Sequence, residues 1–435
     1  MRLPKKLQLL QISLPAIIAL AVFAVVRLAP LAHAAPSDFI DIPNTQTGTI
    51  TITLNNGSDN TGGDCYFFDI SGLTGTAASY NGAGYWLGDG YPGWGINLLA
   101  GTGNYNIVVD GAGCTSYSDG ALNIYMQGVT LTQLGAYSPL QLQNGAGVDL
   151  TVNGVNTFSS STSAGIGVDS GNSIMITSGN GGVLNASSGR DSGIGGSGVS
   201  QFGNITIGGN VQVNASGMSG GIGGGGQDSY NFAGTITITD NARVSAIVLP
   251  GNPSAGYNSF GAGIGTGECA FCDSAYPGAG NTGKVVISGN AFVYADGSNS
   301  IQGYDIGAGY GFTLNEVDIT GGTVIADSIS GGLVNISGGF VYSSNILATN
   351  YQSDGANEGQ NPILNKVSIT SGSVFILNMS NASVIPSPTD ASDSLVYPLY
   401  IPTTLSPNNA NTANSNVDFS TATPSVPYTL HTLTP

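Results

Sequence analysis

The chain has 435 residues, 68 of them glycine, with only 8% charged residues, 41% hydrophobic residues and a formal net charge of −17. Glycine is well above its usual share of about 7%, but no Gly-X-Y period runs through it, so a collagen is excluded, and the apolar content excludes a chain disordered throughout. The acidic balance, with no basic stripe to displace counterions, excludes a nucleic-acid partner.

Residues 1–34 read as a secretory signal. Arg2, Lys5 and Lys6 form a basic start, Leu14 to Val26 an apolar run, and Ala32-His33-Ala34 a small-x-small step that places cleavage between Ala34 and Ala35. Arg27 interrupts the apolar run, and no second run of spanning length follows, so membrane contact is expected only through an uncleaved signal. Cleavage leaves Arg190, Arg243, Lys284 and Lys366 against 25 acidic residues, a balance of 4 − 25 = −21. Such an exported surface suits solubility, cation binding or simple repulsion.

Residues 35–103 are expected to form an N-terminal strand and an irregular cap. Thr49 to Leu54 alternates as a strand; Gly57 to Gly101 does not, and it holds both tryptophans. Flat aromatic faces bury the apolar face of a sugar ring while nearby polar groups take its hydroxyls. Tyr85, Trp86, Asp89, Tyr91 and Trp94 are therefore the candidate carbohydrate-binding residues. The competing reading packs these rings over the end of a repeat fold, which needs a cap.

Residues 104–380 read as stacked repeats. Short strands are expected at Asn106–Asp110, Leu122–Met126, Val129–Leu134, Leu140–Leu142, Val148–Val152 and Val155–Phe158. Beyond Ser163 a Gly-Ile-Gly-like triplet centres on Ile166, Ile194, Ile222, Ile264 and Ile306, at intervals of 28, 28, 42 and 42 residues by subtraction. Between triplets lie alternating seeds such as Ile174/Ile176, Ile205/Ile207, Ile236/Ile238 and Val285/Ile287, the period of a strand with one buried face. Gly-Asn turns follow, then a second seed at Val213, Val244, Val293, Val324, Val341 or Val374. The second seed lies six residues after the first in the earlier three units and five in the later three, as one extra corner residue would cause. No unit can bury its own apolar face, whereas stacked units share one core. The expected fold is all-β, a right-handed parallel β-helix. The triplet forms a third, very short side with its Ile inward, and loops are ejected at Leu249–Phe260 and Gly267–Gly283. Residues 381–435, rich in Pro, Ser, Thr and Asn, read as a low-complexity tail with short strands at most, at Val396–Ile401 and Tyr428–Leu433.

The run Asn123-Ile124-Tyr125-Met126-Gln127-Gly128-Val129-Thr130-Leu131, then Asp149 to Phe158, then Ser163-Ala164-Gly165-Ile166-Gly167, resembles the secreted, Gly-rich, carbohydrate-binding-domain-containing β-helix proteins of bacterial surfaces. Gly234 to Ile238, Gly321 to Ala326 and Pro388 to Pro398 continue the likeness, which covers roughly Asn104 to Tyr400. The resemblance implies the β-helix and an extracellular setting. Some relatives are held to bind plant-type polysaccharides such as cellulose or pectin, with calcium on the solenoid. No wall-sorting signal is visible here.

Chemistry is sparse. Beyond the signal the only histidine is His431, so no His-based catalysis or His-rich metal site fits the repeats. A Gly-His-Gly step with clustered aspartates is absent, and Arg190-Asp191, the one adjacent basic–acidic pair in the repeats, reads as a solvated corner. Asp169, Asp191, Asp228 and Asp305 each lie near a triplet and are the candidate calcium ligands, with turn formation as the competing role. No cofactor is required on this reading. Cys65, Cys114, Cys269 and Cys272 suit disulfides in an exported chain, and Cys65–Cys114 with Cys269–Cys272 is the favoured pairing of three. The expected function is a secreted or cell-surface binding and display protein, non-catalytic, for extracellular or cell-wall polysaccharide or a neighbouring cell surface. The alternatives are a spacer or adhesin that contacts protein and, less favoured, a polysaccharide lyase or glycoside hydrolase.

Overall fold

A computed structural model describes residues 39–55, 67–87, 95–113, 121–133, 136–198, 200–225, 233–251, 259–267, 283–301, 303–309, 314–348 and 366–379. The chain winds into a parallel β-helix of three sides. Side one is an eleven-stranded parallel sheet that takes one strand from each turn, or rung. Its central inward column runs Ile40, Ile96, Ile124, Leu150, Ile176, Ile207, Ile238, Ile287, Ile319, Ile336 and Ile369 in continuous register. Side two stacks Leu184, Val213, Val244, Val293, Val324, Val341 and Val374 in the same way. Side three aligns Ile50, Ile107, Leu140, Ile166, Ile194, Ile222, Ile264, Ile306, Ile329 and Ile346, all fully buried. These columns meet in one continuous core. Parallel strands need no hairpins here, because each rung returns to the same side one strand spacing further on.

The glycines that follow Ile194, Ile222 and Ile264 are required by close approach. Gly195, Gly223 and Gly265 have φ of +141°, +112° and +140°, and a Cβ on each would lie 2.0, 2.0 and 1.8 Å from the carbonyl oxygen of the next rung's glycine. Their task is therefore structural: only a residue without Cβ fits both the backbone angle and the gap. The one-residue difference between early and late repeats lies in the corner between sides one and two. Ile287 pairs Ile319 and Val293 pairs Val324, so register holds on both sides of that corner. Strands before and after the two expected ejected loops, Arg243–Val248, Ile264–Gly265 and Lys284–Ile287, also keep their places in the stack.

The N-terminal boundary differs from expectation. Among the described residues stacking begins at Phe39, inside the stretch 35–103 expected to be an N-terminal strand and cap: β1 (Phe39–Ile42) and β2 (Thr47–Asn55), which contains the expected strand Thr49–Leu54, pair in parallel with Gly95–Leu98 and Gly101–Gly113. An insertion between β2 and Gly95 breaks the period there and hides the first rung. A cap does exist within that insertion. β3 (Phe67–Ser71) pairs antiparallel with β2, and β4 (Gly82–Trp86) antiparallel with β3, so the otherwise open edge of β2 is covered. Two amides pin the connection: Gln46 receives the Thr74 N–H at 2.7 Å and donates to its carbonyl at 3.1 Å, while Asn81 receives the Leu73 N–H at 2.9 Å and donates to its carbonyl at 2.8 Å. The described strands continue to Met379. The expected signal 1–34, the expected tail 381–435 and its two expected strands lie outside the described residues, among which no helix is long and apolar enough to cross a membrane.

Candidate binding surface

On side two the strands alternate strictly, one residue into the core and the next outward. In the strands Val183–Ser188, Gln212–Gly217 and Arg243–Val248 the outward positions carry Val183, Asn185 and Ser187, then Gln212, Asn214 and Ser216, then Arg243, Ser245 and Ile247, with no aromatic ring among them. The Asn214 amide donates to the Asn185 side-chain oxygen at 2.8 Å, a rung-to-rung polar contact on the outer surface. The next rungs change character. In Phe292–Asp296 and Phe340–Ala348 the outward positions are Phe292, Tyr294, Phe340 and Tyr342, exposed by 39%, 37%, 41% and 39%. The strand Thr323–Ile325 runs between them, with Phe292 paired to Thr323 and Thr323 to Phe340, and Tyr294 paired to Ile325 and Ile325 to Tyr342. The four aromatic residues thus form two columns on one face, which continue in register to Ser373 and Phe375 on the next rung. Members of a column stand two rungs apart, about 9.6 Å at a rung spacing of about 4.8 Å, and the columns are about 6.6 Å apart along the strand.

Acceptors border this strip. The Tyr294 hydroxyl donates to Asp296 Oδ2 at 3.3 Å, and burial together with the charges of Asp296, Asp305 and Asp327 holds its proton on more tightly than in an ordinary tyrosine. Exposed Asp327 accepts the Ser344 hydroxyl at 3.2 Å. The sequence reading missed the strip. Its signal lay in plain alternation, Phe-Val-Tyr at 292–294 and again at 340–342, where the outward positions of the neighbouring strands carry no ring at 183–187, 212–216, 243–247 or 323–325, although Val183, Ile247 and Ile325 among them are apolar.

Of the expected carbohydrate cluster, only the Tyr85 side chain lies among the described residues. Tyr85 lies on β4, half-buried; its ring stacks on that of buried Phe68 at 5.2 Å and 27°, and its hydroxyl donates to the Tyr80 carbonyl at 2.9 Å. That is the packing of a cap residue. The backbone of Trp86 pairs with Phe67. The Trp86 side chain lies outside the described residues, as do Asp89, Tyr91, Trp94, Asp228, Cys65, Cys114, Cys269 and Cys272.

The aspartates divide into two places. Asp169 and Asp191 converge on one turn: Asp169 Oδ1 accepts the Ser197 N–H and hydroxyl, both at 2.8 Å, and Asp191 Oδ2 accepts the Gly198 N–H at 2.7 Å. Gln141 on the preceding rung donates to Asp169 at 3.0 Å. Asp191 is only 2% exposed, so the Arg190-Asp191 pair is not the solvated corner expected from the sequence. Residues 196–198 and 200–203 lie against this turn, the Gly198 N–H meeting Asp191 and the Ser170 N–H meeting the Gln201 carbonyl at 2.7 Å. Burial pushes the Asp191 carboxyl up to about 7, against the pull of the Gly198 N–H and Arg190 and with the push of the Asp169 charge. Burial also raises Asp169, partly offset by its Ser197 and Gln141 hydrogen bonds. Asp305 belongs to a rung further on; its carboxylate accepts the Gly297 N–H at 2.6 Å, the Ser328 N–H at 3.1 Å and the Asp327 N–H, tying two rungs together. The aspartates expected to bind calcium are thus engaged with turn backbone in three described cases. Among the described residues no group of three or more His, Cys, Asp or Glu stands close enough to hold a metal ion.

The chain matches no family model, no curated protein and no solved structure. The family resemblance read from the sequence gains no support from these comparisons and loses none, so the residues themselves carry the functional reading.

Proposed function

We propose that the chain is an exported, non-catalytic solenoid that binds polysaccharide at a cell surface or in the extracellular medium. The observation that carries this reading is the aromatic strip on side two. Flat, exposed rings beside hydrogen-bond acceptors are what a sugar chain needs, with its apolar ring faces and its peripheral hydroxyls. The basic, apolar and small-x-small segments of residues 1–34 support export. The non-catalytic part is supported by the engagement of Asp169, Asp191 and Asp305 with backbone N–H groups in turns, which leaves these carboxylates with structural roles. Calcium enters this reading only as a stabiliser of the Asp169–Asp191 turn.

The test is co-sedimentation of residues 35–435 with a panel of insoluble polysaccharides and isolated cell walls, with calcium and with chelator. Saturable binding to at least one polymer, without release of reducing sugar or unsaturated product, is the expected outcome. Absence of binding across the panel by a folded sample would turn the reading to a spacer or protein adhesin.

A further inference from the structure

From the two-rung alternation of the Phe292–Phe340 column we infer that side two binds a neutral, extended β-1,4-linked polysaccharide laid along the solenoid axis, through Phe292, Tyr294, Phe340 and Tyr342. This rests on the polysaccharide reading above and narrows it to a polymer class, a direction and a set of residues. In an extended β-1,4-linked chain each sugar is turned over relative to the last, so the same ring face recurs at every second sugar. The register Arg243, Phe292, Thr323, Phe340, Ser373 puts a ring at every second rung and is commensurate with that repeat, while the neighbouring register adds Phe375 one rung beyond Tyr342. Phe292 and Phe340 make one such column and Tyr294 and Tyr342 the other, with only Thr323 and Ile325 between them. Because the columns lie side by side on a flat sheet, they offer a plane to chains packed side by side, as at the surface of an insoluble polymer.

Charge narrows the ligand. Asp296 neighbours Tyr294 within hydrogen-bond reach, and Asp305 and Asp327 act on the same hydroxyl electrostatically. Arg243 is the cation nearest in register, one rung before Phe292 at the end of the strip. A polymer with a carboxylate on every sugar would meet this acidic border unfavourably, whereas neutral hydroxyls can donate to it. Area argues against a protein occupant. Rings of about 200 Å² each, exposed by roughly two-fifths, present on the order of 300 Å², against about 800 Å² from each partner in a stable protein interface.

The experiment titrates the full chain against microcrystalline cellulose and against chitin, with soluble polygalacturonate as competitor. It compares wild type with Phe292→Thr/Phe340→Thr, with the quadruple variant that adds Tyr294→Thr/Tyr342→Thr, and with Tyr137→Thr, an exposed ring elsewhere on the solenoid. Thr already occupies the Phe column at Thr323, so the double variant is expected to fold. Wild type and Tyr137→Thr should bind at least one neutral polymer equally well, without competition from polygalacturonate. The double variant should bind at least threefold and the quadruple variant at least tenfold more weakly, with unchanged melting temperatures. Undiminished binding by a folded double or quadruple variant overturns the strip and leaves the general polysaccharide reading standing. Binding of wild type to polygalacturonate alone overturns the neutral class and again leaves that reading. Failure of wild type to bind any polymer overturns both. Self-association of wild type in sedimentation velocity, lost in the quadruple variant, assigns the strip to a second copy of the chain and overturns the inference.

Discussion

The strands Gln212–Gly217 and Phe292–Asp296 occupy the same place on side two, two rungs apart, and they carry the same inner residues with different outer ones. Inward stand Val213 and Ala215 in the first, Val293 and Ala295 in the second, all buried. Outward stand Gln212 and Asn214 in the first, Phe292 and Tyr294 in the second. The core fixes the inner pair, because rung must sit on rung with matching volume. Nothing in the core fixes the outer pair, since a polar pair serves equally well two rungs earlier. Exposed aromatic rings where the fold tolerates Gln and Asn therefore ask for an explanation outside folding, and a ligand supplies one.

The comparison predicts a steep gradient from inside to outside. The largest loss belongs to Gly223→Ala on side three, where a Cβ would stand 2.0 Å from the Gly265 carbonyl oxygen at a φ of +112°. Overpacking and backbone strain together should cost on the order of 3 kcal/mol or more. Ile222→Ala, beside it and fully buried, should cost about 2–5 kcal/mol through its cavity. Gly198→Ala is the matching control: its φ is +58° and no atom lies within 4 Å of the added Cβ, so only a cost of about 1 kcal/mol for the backbone angle is expected. Equilibrium denaturation of the three variants checks the order. Equal losses for Gly223→Ala and Gly198→Ala would remove close approach as the reason for the triplet.

Asp191 is an inner residue of a different kind, a carboxyl among backbone groups, and its effect depends on pH. Its ordinary value is 3.8 and its folded value about 7. Between these values the folded chain keeps a proton that the unfolded chain has lost. The stability contributed by the neutral carboxyl is therefore full below the ordinary value, falls as pH rises through the folded one, and is gone above it. The ceiling on this effect is about 4 kcal/mol, from about 1.36 kcal/mol per pKa unit. Asp191→Asn keeps an acceptor for the Gly198 N–H and cannot ionise. It should flatten the decline in denaturation midpoint between pH 5 and pH 8 and be more stable than wild type at pH 8. A decline as steep in the variant as in wild type would assign the pH dependence to other carboxyls, such as Asp169 and Asp305, which burial also raises.

How much of this could be read in advance followed from where the physical constraint lies. The side-three column was legible from Ile166 to Ile306 because close approach favours glycine after each Ile, at Gly167, Gly195, Gly223, Gly265 and Gly307, which leaves a mark on the sequence. It was not legible at Ile329 and Ile346, where Ser328 and Ser330, then Asn345 and Leu347, take the flanks. The first rung was hidden because Ile50 meets Ile107 across an insertion of its own hairpin. Tyr85 was noticed as an aromatic, but its stacking on Phe68 depends on an antiparallel pairing that no periodicity announces. The burial of Asp191 depends on the turn that folds back over it. The strip required register: Phe292 and Phe340 become neighbours only when Thr323 is placed between them.

The same register allows the comparison to be turned into a gain. Gln212 pairs with Arg243 and Arg243 with Phe292, so Gln212 lies two rungs before Phe292, in phase with Phe340 on the other side. Gln212→Phe/Asn214→Tyr should lengthen both columns by one repeat and tighten binding to the neutral polymer at least threefold. Its effect on stability should stay within about 1 kcal/mol, because the substitutions are outward and remove one partly buried hydrogen bond, from Asn214 to Asn185. Arg243→Phe/Ser245→Tyr adds the same rings one rung out of phase and also removes a positive charge. If stacking requires the two-rung repeat, this second variant gains less than the first. Equal tightening by both would mean that added aromatic area, and not its period along the solenoid, sets the affinity.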